Sequence, residues 1–286
     1  MRSSESEFHS IRGLRYHVRR WAAAGAPKLV LLHGWMDVSA SFQFLVDELT
    51  RPWDVYAPDW RGYGLTDWGK SDCYWFPDYL ADLDYLLDAI GEPVHLVGHS
   101  LGGNVATLYA GVRPERVASL VNLEGFGLTA TKADEAPRRY ARWLKELRER
   151  PGFRPYADFD ELAKRLRQGN PRLTAERADF LARHWGREAD GGVVLRGDPA
   201  HKIVNPVLWR YEEVRACWRQ VRARVLWVDA AQTDALRRIG LDEAQHAERR
   251  GAFANLQYKT VRDAGHMLHH DQPKAVAGLI EDFLAA

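Results

Sequence analysis

The residues of this chain with the sharpest chemical signal are Gly98-His99-Ser100-Leu101-Gly102. They fit G-x-S-x-G, follow the apolar run Pro93-Val-His-Leu-Val97 and open a helical segment from about Leu101 to Ala110. Strand before and helix after is the context that turns this short pattern into a nucleophile elbow. So tight a turn holds the serine in a strained backbone conformation, and flanking glycines remove the Cβ clashes that would block it. The Ser100 hydroxyl then projects at a helix N-terminus, where the dipole and free N–H groups favour developing negative charge. The competing reading is a chance pentapeptide in an ordinary connection. Strand and helix in register weigh against it.

A second signal is His33-Gly34-Trp35, at the end of the earlier apolar run Lys28-Leu-Val-Leu-Leu-His33. Acyl transfer needs two N–H donors aimed at the oxyanion. One comes from the residue after the nucleophile, here Leu101, and the other from the loop after this strand, here Trp35. Alone, a Gly after a strand is only a turn; its place relative to Ser100 gives it meaning.

These residues need a scaffold, and the hydropathy pattern supplies one. Phe8 to Trp21, with Gly13 between two short runs, predicts a β-hairpin. Ser39 or Ser41 could cap a helix carrying Phe42, Leu45, Val46 and Leu49. Trp53–Ala57 predicts a strand; Pro77 opens a helix with Leu80, Leu83, Leu87 and Ile90 at helical spacing, which Gly91 stops. Val117–Leu123 predicts another strand, as do Arg224–Asp229 and Leu256–Val261, with helices near 234–250 and at the C-terminus. Alternation of strand and helix means βαβ units and a parallel sheet covered on both faces. The middle differs. From Thr129 to Arg219 amphipathic helices dominate, with Tyr140, Trp143, Leu144 and Leu147 on one stripe and Phe159, Leu162, Ala163 and Leu166 on another. The expected organisation is a core of residues 1–126 and 219–286 with a helical cap, or lid, at 127–218. A cap there would cover the sheet's carboxyl edge, where ligands bind in open α/β sheets.

The chain resembles the α/β-hydrolase superfamily over nearly its whole length. Asp59-Trp-Arg61-Gly62-Tyr-Gly64 matches that family's D-x-R-G-x-G segment. Gly197-Asp198-Pro199 and Ala264-Gly265-His266-Met267-Leu268-His269-His270-Asp271-Gln272-Pro273 are similar to the serine hydrolase-like, esterase-type branch. The implied fold is a mostly parallel sheet flanked by helices with an inserted helical cap. The implied base, which must take the serine proton, is His266, with Gly265 before it and Pro273 opening the terminal helix. His269 and His270 are rivals by proximity. A metal reading through His266 and His270, four apart, lacks a third ligand and a His-Glu-x-x-His pattern, so no metal is expected. The acid that orients the base is open among three carboxylates. Asp234 aligns best with the family position, although Ala231 stands where the family often has Gly. Glu124, at the end of the preceding strand, is the alternative used by some relatives, and Asp229 is a third. A serine at the elbow argues against the dehalogenases and epoxide hydrolases of this fold, which use aspartate there.

Composition narrows the remaining classes. The 286 residues carry 40 Lys plus Arg against 39 Asp plus Glu, a formal charge of +1. So even a balance excludes a dedicated nucleic-acid or anionic-membrane binder, and the arginines at 138, 139, 142 and 148 read as a solvated helix face. Two cysteines, Cys73 and Cys217, cannot build a disulfide scaffold and suit a reducing compartment. The polar start, Met1 to Glu7, has no apolar signal region, and no run approaches the ~18 apolar residues of a membrane helix. A cytoplasmic serine hydrolase acting on a small-molecule acyl substrate, without cofactor, is therefore expected, with oligomeric state open. Carbon–carbon bond hydrolysis, perhydrolysis and a non-catalytic ligand receptor on the same fold are the alternatives. Of the 11 tryptophans, Trp35, Trp143, Trp185 and Trp209 are candidate pocket walls.

Overall fold

A computed structural model describes residues 1–70, 72–91 and 93–285. The strands are β1 (Glu5–Ile11), β2 (Leu14–Trp21), β3 (Lys28–Leu32), β4 (Asp54–Pro58), β5 (Val94–His99), β6 (Val117–Leu123), β7 (Gly186–Ala189), β8 (Gly192–Leu195), β9 (Arg224–Ala230) and β10 (Leu256–Val261). The α-helices are α1 (Gln43–Glu48), α2 (Phe76–Ile90), α3 (Leu101–Val112), α4 (Ala136–Glu149), α5 (Phe159–Gly169), α6 (Ala175–Trp185), α7 (Tyr211–Trp218), α8 (Ala235–Arg238), α9 (Glu243–Arg250), α10 (Leu268–Asp271) and α11 (Pro273–Ala285). Eight strands form one sheet in the order β1-β2-β4-β3-β5-β6-β9-β10. The β1–β2 and β2–β4 pairs are antiparallel and every other pair is parallel. The mostly parallel α/β architecture expected from the alternating pattern is the one observed.

Period-two alternation decides which face each strand residue serves. Val30 and Leu32 of β3 pack with Leu83, Leu86 and Leu87 of α2 and Val105 and Tyr109 of α3. Leu29 and Leu31 turn the other way, onto Leu45 and Val46 of α1 and Val276, Ile280 and Phe283 of α11. With both faces covered, β3 must be apolar throughout, which is why it reads as an unbroken run. Each fully buried Leu contributes about 1.5–3 kcal/mol, so these two layers fix the sheet against which the loops are set. Helix α2 starts with Pro77 in its first turn and ends at Gly91, whose φ of +83° suits a residue without Cβ.

Four expectations change in detail. The helix expected near 234–250 is two short helices, α8 and α9, separated by Gly240 at φ +70°. The segment between β6 and β9 is not wholly helical: β7 and β8 form an antiparallel hairpin around Gly191 and Gly192. Neither Ser39 nor Ser41 caps a helix through its side chain; a 3₁₀ turn over Ser39–Phe42 leads into α1, and the Ser41 hydroxyl donates to Asp37. On α4 the predicted stripe is not buried, since Tyr140 and Leu144 are both 51% exposed.

Candidate active site

Ser100 lies between β5 and α3 with φ 51° and ψ −114°, the left-handed backbone of a nucleophile elbow. The flanking glycines are there because nothing else fits. A Cβ on Gly98 would sit 2.4 Å from the Gly102 carbonyl oxygen, and one on Gly102 would sit 2.0 Å from that of Leu32. The Ser100 amide donates to the Leu123 carbonyl at 2.9 Å, tying the elbow to β6.

His266 lies on the loop after β10. Its Nε2 is 3.1 Å from Ser100 Oγ and its Nδ1 is 2.8 Å from Glu124 Oε2. The structure thus brings Ser100, His266 and Glu124 into one hydrogen-bonded row. Glu124 follows β6 with φ 57°, and its side chain is fully buried. Oε1 accepts from the Ala230 amide at 2.7 Å, and Oε2 also accepts from the Thr233 hydroxyl at 2.6 Å. Such a carboxylate is acceptor-only, so Nδ1 of His266 must carry its proton and Nε2 is left bare toward the serine. A second histidine steadies the loop: His99 Nε2 donates to the His266 carbonyl at 2.8 Å.

The carboxylate expected first on this base, Asp234, is elsewhere. It precedes α8, its side chain is 52% exposed, and it pairs with Arg238 at 3.0 Å. The turn after β9 explains the difference. Its amides at Ala231 and Gln232 donate to Val261 and Ala264, which holds the chain close to the base loop and presents Thr233, not Asp234, to Glu124. Asp229, the third candidate, accepts from Trp227 Nε1 at 2.8 Å and from the Tyr258 hydroxyl at 2.9 Å. Burial and the neighbouring Glu124 push its pKa up to about 7. Neither rival histidine hydrogen-bonds Ser100: both are buried, the two ring nitrogens of His269 and Nε2 of His270 have no partner among the described residues, and His270 bonds to the Ser41 backbone.

The His33–Trp35 loop is shaped by a buried imidazole. The Trp60 amide donates to His33 Nε2 at 2.9 Å, so Nδ1 carries the proton and donates to the Gly34 carbonyl at 2.8 Å. Burial lowers the His33 pKa to about 4, keeping it neutral. A Cβ on Gly34 would meet His99 Nδ1 at 2.9 Å, so any side chain here would have to displace the His99 ring beside the elbow. Met36, with φ 58°, then turns the chain. Trp35, Ser100 and Leu101 border one cavity. Leu101 opens α3, and an amide in a first helical turn has no partner inside the helix.

That cavity, about 240 Å³, is walled by Tyr74, Trp75, Phe76 and Tyr79. A second of about 320 Å³ lies across Ser100 and His266, toward Ile239 and Arg238. Of the four tryptophans expected to line a pocket, Trp35 borders both cavities. Trp209 stands behind the wall with its ring 4.8 Å from Phe76, and Trp185 hydrogen-bonds Ser41 instead. Trp143 borders neither. Sequence reasoning missed Trp75 and His201. The His201 ring is stacked between Tyr63 and Tyr74, with both centroid distances 3.8 Å. The Tyr74 hydroxyl donates to Asp198 at 2.7 Å. Asp198 had already stood out in Gly197-Asp198-Pro199, and it fastens the inserted segment to the core.

Asp59 and Arg61 of the D-x-R-G-x-G segment act structurally. Burial would raise the Asp59 pKa, but the hydrogen bond and charge of His17 hold it well below the carboxylate range. Asp59 accepts from the Ser39 and Leu65 amides at 2.6 and 2.9 Å. Arg61 grips Asp82 through two nitrogens, both at 2.5 Å.

Residues 27–273 match the model of the alpha/beta hydrolase fold family. The serine hydrolase-like protein of Danio rerio is 28% identical, with 99% of this chain and 90% of that protein covered. Serine hydrolase-like protein 2 of Homo sapiens is 25% identical over 93% of this chain and 89% of its own length. Among solved structures, the thioesterase domain from the curacin biosynthetic pathway superposes with a TM-score of 0.88 at 22% identity, covering 98% of this chain and 99% of that one. With the family model spanning most of its length, the chain belongs to the α/β-hydrolase fold family, and its similarity to serine hydrolase-like proteins runs from end to end.

Proposed function

We propose that this hydrolase cleaves a carboxylic ester or related acyl compound through an acyl-enzyme on Ser100. The observation that carries the reading is the row Ser100 Oγ, His266 and Glu124 at 3.1 and 2.8 Å. Ser100 Oγ attacks the acyl carbonyl as His266 Nε2 takes its proton. The imidazolium that forms is stabilised by Glu124 and then gives the proton to the leaving alkoxide or thiolate. Amides of Trp35 and Leu101 receive the oxyanion; losing one such donor costs about 3–4 kcal/mol of transition-state stabilisation. Water, deprotonated by the same imidazole, releases the acid and restores Ser100.

The two cavities meeting at Ser100 suggest where the halves of the substrate go. The aromatic-walled one, about 240 Å³, lies just below the ~300–1,000 Å³ of drug-sized ligand pockets and suits a short or single-ring acyl group. The segment 127–218 would act as a lid over it, latched through Asp198 and His201. The solved thioesterase domain supports testing thioesters beside oxyesters. Labelling with a fluorophosphonate probe, with Ser100→Ala as control, tests the nucleophile, and p-nitrophenyl esters of increasing acyl length size the pocket. We expect labelling of the wild type alone and a rate that falls once the acyl chain outgrows the cavity. A wild type inert to both the probe and the esters would sink the enzyme reading in favour of a ligand receptor.

A further inference from the structure

We propose that Asp37, His269 and His270 form a binding site for one divalent transition-metal ion of the zinc class, linking the loop of Trp35 to the loop of His266. All three side chains are buried, at 2%, 0% and 2% exposure. Among the described residues, Asp37 Oδ2, both ring nitrogens of His269 and Nε2 of His270 have no hydrogen-bond partner. A buried polar atom left unpaired costs free energy, so four of them in one place call for an occupant. One ligand atom from each residue lies within 4.8 Å of the others, and His269 Nε2 is 3.9 Å from Asp37 Oδ2. Tetrahedral coordination at ~2.0 Å bonds needs ligand atoms ~3.3 Å apart, a contraction that side-chain torsions can supply. Two imidazoles and a carboxylate are a donor set that suits zinc, cobalt or nickel.

The surroundings orient these donors as outer-shell partners do. Asp37 Oδ1 accepts from the Val38 amide at 2.8 Å and from the Ser41 hydroxyl, which leaves Oδ2 turned to the histidines. His270 is hydrogen-bonded to the Ser41 backbone, and its Nε2 is the nitrogen left over. Phe42 and Phe44 pack against the two rings at 5.3 and 5.9 Å. His99 Nδ1 is a further bare donor, its ring 4.4 Å from that of His269. Arg177 of α6 donates to the His270 carbonyl at 2.5 Å and opposes a cation, which limits affinity but occupies none of the ligand atoms. His266 is not part of the set, because both its nitrogens are engaged by Ser100 and Glu124. The site is therefore not the His266/His270 pair that sequence spacing would suggest; its third ligand comes from the far end of the chain. An ion here would hold residues two positions from Trp35 and three from His266 at a fixed separation.

The test uses the full chain, freed of any affinity tag and dialysed against EDTA. Titration with Co²⁺ should give one equivalent of binding with the visible bands of low-coordinate cobalt, displaced by Zn²⁺. Asp37→Asn and His270→Gln should each weaken binding by more than the roughly 10–100-fold that loss of an outer-shell partner costs. His9→Gln, on a surface pair with Glu7, should leave binding unchanged. Should the two ligand variants fail to fold, anomalous scattering at the zinc edge from a soaked wild-type crystal decides the matter. Absence of stoichiometric Co²⁺ binding by the wild type, binding that survives both ligand changes, or a zinc peak elsewhere would each overturn the proposal and leave water as the occupant.

Discussion

Replacing Glu124 with glutamine changes one atom and reverses the polarity of the contact to His266. The carboxylate accepts three hydrogen bonds, from the Ala230 amide, the Thr233 hydroxyl and His266 Nδ1. If the glutamine keeps its oxygen on the Ala230 amide, its NH₂ faces Nδ1, which must then be bare. The imidazole proton moves to Nε2 and points at Ser100, so the base is gone. If the amide flips, its NH₂ opposes the Ala230 N–H, and a buried donor left unsatisfied costs about 1–3 kcal/mol. Thr233 does not object to the first arrangement, because its oxygen already accepts from Ala235 and can take a second donor. The wrong tautomer therefore prevails, and an equivalent change in a serine protease lowers turnover by ~10⁴, or about 5 kcal/mol at 1.36 kcal/mol per decade. Asp234→Asn is the internal comparison. It removes an exposed pair with Arg238 worth about 0–1 kcal/mol, so kcat/KM on p-nitrophenyl butyrate should fall less than about fivefold. Both variants should be checked by circular dichroism for an intact fold. Glu124→Gln retaining more than a tenth of wild-type kcat/KM, or Asp234→Asn falling as far, would refute the assignment.

Other outcomes follow from the same geometry. Gly102→Ala places a Cβ 2.0 Å from the Leu32 carbonyl oxygen; since backbone cannot step aside cheaply, we expect destabilisation of at least about 1–3 kcal/mol and loss of fluorophosphonate labelling. Tyr74→Phe strips Asp198 of a 2.7 Å donor and should cost about 1–3 kcal/mol by thermal unfolding, with KM rising more than kcat falls if the inserted segment loosens over the cavity. His201, its pKa lowered to about 3 by burial, binds its proton more weakly folded than unfolded. Its contribution is intact above about pH 6.5 and is lost at roughly 1.4 kcal/mol per pH unit as pH falls toward about 3. His201→Gln should flatten the acid limb of the stability curve measured by urea denaturation; an unchanged limb would count against burial of a neutral imidazole there.

The parts of this molecule legible in sequence are those set by short-range constraints. The elbow was readable because strand, glycine, serine, glycine and helix must be consecutive for the turn to close. His266 was readable because Gly265 and Pro273 bracket it. The carboxylate that meets His266 Nδ1 was not, because that contact depends on two strand ends lying side by side. Glu124 and Asp234 are separated by the inserted segment in sequence, and only the close turn after β9 decides which carboxylate faces Nδ1. The β7–β8 hairpin was also missed, although Gly191-Gly192 marks a turn, because its strands are only four residues each. The apolar stripe of α4, with Tyr140 and Leu144 exposed and Trp143 and Leu147 only half-buried, shows the converse. Helical periodicity predicts a face but not whether anything covers it.

Ser100, Glu124 on the far side of His266, and Met36 next to Trp35 are non-glycine residues held at positive φ. Each such conformation costs on the order of 1–3 kcal/mol, a considerable share of the ~5–15 kcal/mol by which a protein of this kind stays folded. These dihedrals are therefore imposed from outside, by the packed sheet, and relax wherever that packing slackens. Catalytic competence should consequently fade on warming before helical content does, which makes turnover a more sensitive thermometer of this protein than its circular dichroism.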